Sequence, residues 1–158
     1  DLHVKEVDDG ETIVIGDETL VRVAALNHPG GSLGFRIENN GASVAYCTDT
    51  THPDGGVEPS IVRLAQDADL LIHDAFFTPE GRQEFASWGH SSWLEAVRAA
   101  QAANVRFLGL FHYAPDATDE QLEQEILPQA RDLFPNTFLT REGMAIEIPM
   151  AILEEATG

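Results

Sequence analysis

Ala68-Asp-Leu-Leu-Ile-His-Asp-Ala75 is an apolar run of strand length that ends on a histidine and an aspartate. Too short for a self-sufficient helix, it reads as a strand buried within a sheet. A second run, Val105 to Phe111, has the same character and ends on His112. Between them the capping box Ser92-Trp-Leu-Glu95 opens a helix expected to reach about Ala103. A second box, Thr118-Asp-Glu-Gln121, opens another to about Phe134, with Pro128 as a kink. Ser60 to Gln66 is a shorter helical stretch ahead of both. Helix, strand, helix, strand, helix is the alternation of an α/β layer structure.

Upstream the pattern changes to strands separated by turns. Leu2 to Val7, Thr12 to Ile15, Thr19 to Leu26, Leu33 to Glu38 and Ser43 to Thr48 are the expected strands, with Asn39-Asn40-Gly41 as a hairpin turn. Phe138 to Thr140 and Met144 to Ile148 are expected to close the fold as a second hairpin. With 158 residues and no linker-like tract, the chain is expected to be a single domain spanning 1–158.

Composition narrows the function. Net charge is −18, with 27 acidic residues against nine basic ones, and Lys5 is the only lysine. Such a surface repels polyanions, so nucleic acid is not the expected partner, whereas a small phosphate ester next to a metal remains compatible. No apolar run approaches the ~20 residues of a membrane span, and a cytoplasmic protein is expected. Cys47 is the only cysteine, which excludes an intrachain disulfide and a four-cysteine zinc site. Any metal must sit on imidazole and carboxylate.

Those groups fall at strand exits. His28 follows the third strand in Asn-His-Pro-Gly-Gly, Asp49 ends the hairpin's return strand, His73-Asp74 ends the next, and His112 ends the one after. Ligands gather at the carboxyl ends of strands in α/β architectures, which makes these residues candidates as a group. Individually each has a plain alternative. His28 could be a turn residue, Asp49 a cap, and His112 a hydrogen-bonded histidine at the core's edge. His90 in Gly-His-Ser-Ser precedes a helix start and could grip a phosphate or donate a proton, or simply pack in its loop. Asp74 could orient a ligand histidine or form a structural pair with His73. His52, in Thr-His-Pro-Asp-Gly-Gly, is expected to be an ordinary turn residue, and Trp88 and Trp93 to be core.

Taken in order, five segments resemble the metallo-β-lactamase superfamily, most closely its phosphodiesterase and ribonuclease Z-like branch. They are Leu26-Asn-His-Pro-Gly-Gly-Ser, Val44-Ala-Tyr-Cys-Thr-Asp-Thr50, Ala68 to Ala75, Gly89-His-Ser-Ser92 and Phe111-His112. The resemblance covers roughly residues 20 to 145. It implies the C-terminal portion of an αβ/βα sandwich, with His28 on a first metal, Asp49 bridging and His112 on a second. It also implies a metal-bridging hydroxide as nucleophile, and His90 at the substrate phosphate or leaving group. Asp74 stands where the ribonuclease branch has glutamate. The implied metals are two zinc ions, with manganese or iron as alternatives.

The family's His-x-His-x-Asp-His motif is absent from the chain. An incomplete domain is therefore expected, weakly active alone, its partner a missing N-terminal half or a second copy. A small phosphodiester is the expected substrate. The alternatives are a lactone, thioester or β-lactam on the same fold, or a binding module on a decayed scaffold.

Overall fold

A computed structural model describes residues 4–148. Seven strands form one sheet in sequence order: β1 (Thr12–Ile15), β2 (Thr19–Leu26), β3 (Ser32–Asn39), β4 (Ala42–Cys47), β5 (Leu70–Asp74), β6 (Phe107–Phe111) and β7 (Thr137–Leu139). Pairing is antiparallel from β1 to β4 and parallel from β4 to β7. The switch comes where tight turns give way to helical crossovers, which parallel strands require. The sheet is a single mixed one, and the α/β layering that the alternation in the sequence implied is present.

Helices α1 (Pro59–Ala65), α3 (Trp93–Ala102) and α5 (Leu127–Leu133) cover one face. Register assigns the strand residues to that face: Ala45, Leu71 and Leu108 lie in a row, as do Cys47, His73 and Leu110. Ile61, Leu64, Ala96, Val97, Ala99 and Ala100 pack onto them. Alanines lining α3 let the helix approach the sheet closely. Its start is fixed by the expected capping box, Ser92 with Glu95.

The other face is equally apolar but has no helix over it among the described residues. Val23, Phe35 and Tyr46 share one row, and Val44, Leu70 and Phe107 another. Ile37 and Phe107 on this face are exposed. A sheet apolar on both faces is the middle of a layered structure. Among the described residues this face meets only the irregular chain of 144–148, which lines a hollow with Leu70, Phe107 and Phe138.

Several expectations fail locally. Of the expected strand Leu2 to Val7, residues 4–7 form no strand and Val4 is exposed, while Leu2 and His3 lie outside the described residues. The closing hairpin does not form either: β7 joins β6 in parallel, and 140–148 is a turn with irregular chain. The Leu110 carbonyl accepts from Thr140 instead. The long helix is broken into α4 (Asp119–Gln121), a π-helical turn (Leu122–Ile126) and α5. Pro128 lacks an amide proton, and the wider π-helical turn directly ahead of it accommodates the missing donor. The short helix α2 (Pro79–Glu84) was not anticipated at all, though Thr78-Pro79 is a recognisable helix start.

Candidate metal centre

The rim at the strand exits is built by backbone shapes that the sequence supports residue by residue. Asp49 and His112 both leave their strands at positive φ, 53° and 58°. Aspartate and histidine are among the residues that tolerate this region, at a cost of about 1–2 kcal/mol. Both bends turn a side chain at a parallel strand's end back over the sheet edge. Asp49 is held there by Ser32 Oγ, which donates to its carbonyl at 2.7 Å.

Gly89 has φ 87°, and a Cβ there would lie 2.4 Å from Pro29 Cδ and 2.6 Å from His28 Cδ2. Only glycine lets the His28 and His90 loops touch. Their rings meet edge to face with centroids 5.7 Å apart.

Asp74 is the hub. Its carboxylate is fully buried and accepts from His90 Nδ1 at 3.0 Å and His112 Nδ1 at 3.3 Å. The amides of Phe76, Ser91 and Thr50 donate to it at 3.1, 3.3 and 3.4 Å. Burial alone would raise this carboxyl, but the hydrogen bonds from His112 and His90 outweigh it and hold it below the usual range. The same bond pushes His112 up, against partial burial, with the charges of Asp74 and Asp49 adding to the rise. With Nδ1 donating, His90 and His112 each present Nε2 as the free nitrogen. His112 Nε2 stands 3.8 Å from Asp49 Oδ1. A lone pair facing a carboxylate oxygen calls for a cation or a proton between them.

Two groups of ligand atoms lie within 4.8 Å of one another: His28, Asp49 and His90, and Asp74, His90 and His112. His90 belongs to both. So His28, Asp49, Asp74 and His112 from the strand exits converge with His90 from the loop before α3, not as the trio His28, Asp49 and His112 alone. The donor chemistry suits a divalent ion between Asp49 and His112, whose facing atoms are 3.8 Å apart, because a carboxylate-anchored imidazole is the usual presentation of a histidine to metal. His28 is set differently: its Nδ1 accepts from Gly30 N at 3.1 Å, leaving the proton on Nε2. It must give up that contact, or turn its ring over, to offer a lone pair.

Three expectations are corrected here. Asp74 does not form a carboxylate pair with His73; the His73 ring bonds the Asp74 carbonyl, and the carboxylate faces the rim. His52 is no turn residue on the surface but is 2% exposed, its Nε2 3.2 Å from His73 Nε2. Nothing in its local Pro-Asp-Gly-Gly context signals that burial, which comes from β5. Trp88 is 54% exposed, whereas Trp93 is core.

A family model, the β-lactamase superfamily domain, matches residues 1–113. The chain belongs to that superfamily. Within it the sequence is ribonuclease Z-like: it is 36% identical over 142 residues to the ribonuclease Z of Nostoc sp. (strain PCC 7120), covering 89% of this chain and 40% of that protein. To the ribonuclease Z of Synechocystis sp. (strain PCC 6803) it is 31% identical, covering 96% and 43%. This superfamily chain thus spans about two fifths of the curated relatives it matches. Among solved structures, the metallo-β-lactamase fold protein YhfI from Bacillus subtilis aligns with TM-score 0.73 at 24% identity, over 89% of this chain and 54% of that one. Human tRNase Z, short form, gives 0.65 at 22%, over 87% and 45%. Zn(2+)-bound PqqB from Methylobacterium extorquens gives 0.64 at 13%, over 89% and 54%. These likenesses confirm the metallo-β-lactamase fold and its partial extent. No helix among the described residues is long and apolar enough to cross a membrane.

Proposed function

We propose that this chain is the C-terminal part of a divalent-metal phosphodiesterase, with zinc as its metal. The observation that carries the reading is the single rim on which Asp49, His90 and His112 meet around the buried Asp74 carboxylate. The metal would supply Lewis-acid polarisation of the phosphoryl oxygens. The chain's own residues do the rest. Asp49 and the Nε2 atom of His112 offer ligands 3.8 Å apart, with His28 joining once its ring is free, while His90 stays off the metal. Asp74 fixes the tautomer of both histidines and stabilises His90 when it carries a second proton. His90 Nε2–H can then pass that proton to the departing oxygen, while Nδ1–H stays on Asp74.

The apolar, helix-free face of the sheet supports a second sheet packed against it, supplied by a segment outside this chain. That segment would carry the remaining metal ligands. The charge of −18 favours a small diester for this part of the surface. The relatives named ribonuclease Z favour an RNA diester instead, with its recognition surface outside this chain.

The test is turnover by the full-length protein of bis-p-nitrophenyl phosphate, a precursor tRNA, a lactone and a β-lactam, each with and without Asp49→Ala. Metal-dependent cleavage of a phosphodiester, lost in the variant, is the expected result. Cleavage of the lactone or β-lactam alone would replace the reading with the carboxyl-ester rival, and no cleavage of any would favour a binding module.

A further inference from the structure

His52 and His73 are buried behind the rim, and the chemistry above uses neither. They stack with centroids 5.2 Å apart and planes 12° from parallel, and their Nε2 atoms are 3.2 Å apart. Their outer partners fix where the protons are. His52 Nδ1 accepts from the Glu58 amide at 2.9 Å, so its proton sits on Nε2. His73 Nδ1 donates to the Asp74 carbonyl at 2.8 Å, so its Nε2 is the acceptor. One unbroken run of donors follows: Glu58 N–H to His52, His52 to His73, His73 to the Asp74 carbonyl. Reversing either ring leaves two like groups facing each other in a buried site.

The two ends of that run are what matter. His52 closes the loop that begins at Asp49, and His73 precedes Asp74 on β5. We propose that His52 and His73 are positioning residues, a pair locked in opposite tautomers that fastens the Asp49 loop to the strand end carrying Asp74.

The rest of the loop is held by bonds of the same kind. Thr51 N donates to Asn27 O at 2.9 Å, Ser91 Oγ to Thr50 O at 2.6 Å, and Arg82 Nη2 to Thr51 Oγ1 at 2.6 Å and His52 O at 3.2 Å. Asp49 itself sits at an unfavourable φ, so its place depends on such restraints. A hydrophobic pair could fill the same volume. It could not set the direction of the chain at both ends.

The proposal rests on the metal-hydrolase reading, and its test separates the two. In the full-length protein, His52→Asn keeps an acceptor for Glu58 but cannot reach His73, whereas His52→Gln keeps a donor at the Nε2 position. His52→Asn is expected to lower kcat at least tenfold with KM within twofold, and His52→Gln to restore kcat to within threefold of wild type. Thermal midpoints of both variants are measured alongside. The second readout is the ring-nitrogen NMR spectrum of the 15N-histidine protein, expected to give Nε2–H on His52, Nδ1–H on His73 and a nitrogen–nitrogen coupling across their bond.

Tautomers other than these would overturn the proposal. So would equal kcat in His52→Asn and wild type, or equal losses in His52→Asn and His52→Gln at matched thermal midpoints. An Asp49→Ala control that hydrolyses as well as wild type would instead overturn the functional reading, leaving the NMR result to decide the pairing.

Discussion

Strand β5 has a buried aspartate at each end, and the two are satisfied in opposite ways. Asp69, just before the strand, accepts from Arg106 Nη1 at 2.7 Å, Ser43 N at 2.9 Å and Ser43 Oγ at 3.3 Å. Burial would raise it, but those bonds and the arginine's charge hold it low. Its charge is cancelled by a fixed cation. Asp74, five residues on, has no arginine or lysine; two imidazoles and three amides share it. A carboxylate closed by arginine ties elements together and is chemically finished. A carboxylate shared by histidines keeps their outer nitrogens usable, and so marks the reactive end of the sheet.

The sharpest way to break that contrast is to remove each carboxylate in the full-length protein. Asp74→Ala should lower phosphodiesterase kcat by about 10²–10⁴, because both histidines lose their anchor. Asp69→Ala should leave kcat within a few-fold, yet cost about 1–3 kcal/mol in denaturant unfolding by stranding the Ser43 amide. Arg106 contributes little to that cost, its side chain being half exposed. Equal rate losses in the two variants would erase the distinction.

Next in size, Gly89→Ala should weaken metal binding about 10–100-fold, since the new methyl displaces Pro29 and the His28 ring. Equilibrium dialysis of the metal measures it. Gly31→Ala, strained in its backbone but open in space, is the control and should weaken binding less.

Smallest is an effect of acid on the region behind the rim. Burial lowers His52 to about 3, and His73 moves the same way. Between pH 6.5 and 3 the unfolded chain therefore binds a proton at His52 that the native state refuses. Stability falls as pH drops through that window, by about 1.4 kcal/mol per unit for this residue. Urea unfolding at pH 6.5 and 5.5 should give His52→Gln a shallower decline than wild type. Parallel declines would mean His52 is protonated in the folded protein.

Much of this was legible in the residues themselves. The runs at Leu70 and Phe107 gave buried parallel strands because both their faces are apolar. Ser92 with Glu95 started α3 because a capping box is a local interaction. His28, Asp49, Asp74 and His112 could be picked out because a polar residue at the exit of an apolar strand needs a reason to be there, and His90 because it precedes a helix start. The errors came where a distant partner decides. Val4 to Val7 pair with no strand among the described residues, β7 is recruited by β6 rather than by a hairpin, and His52 is buried by a histidine 21 positions away. Asp74's choice of the rim over its neighbour His73 depends on strand geometry, which spacing alone does not carry.

The central claim is that Asp49 and His112, joined by His28, offer one common place to a divalent ion. Elemental analysis of the full-length protein after dialysis, wild type against His112→Ala, tests it most directly. The account predicts bound zinc in the wild type and at least one fewer ion per chain in the variant, with an unchanged circular dichroism spectrum. The same metal content in both proteins would contradict it.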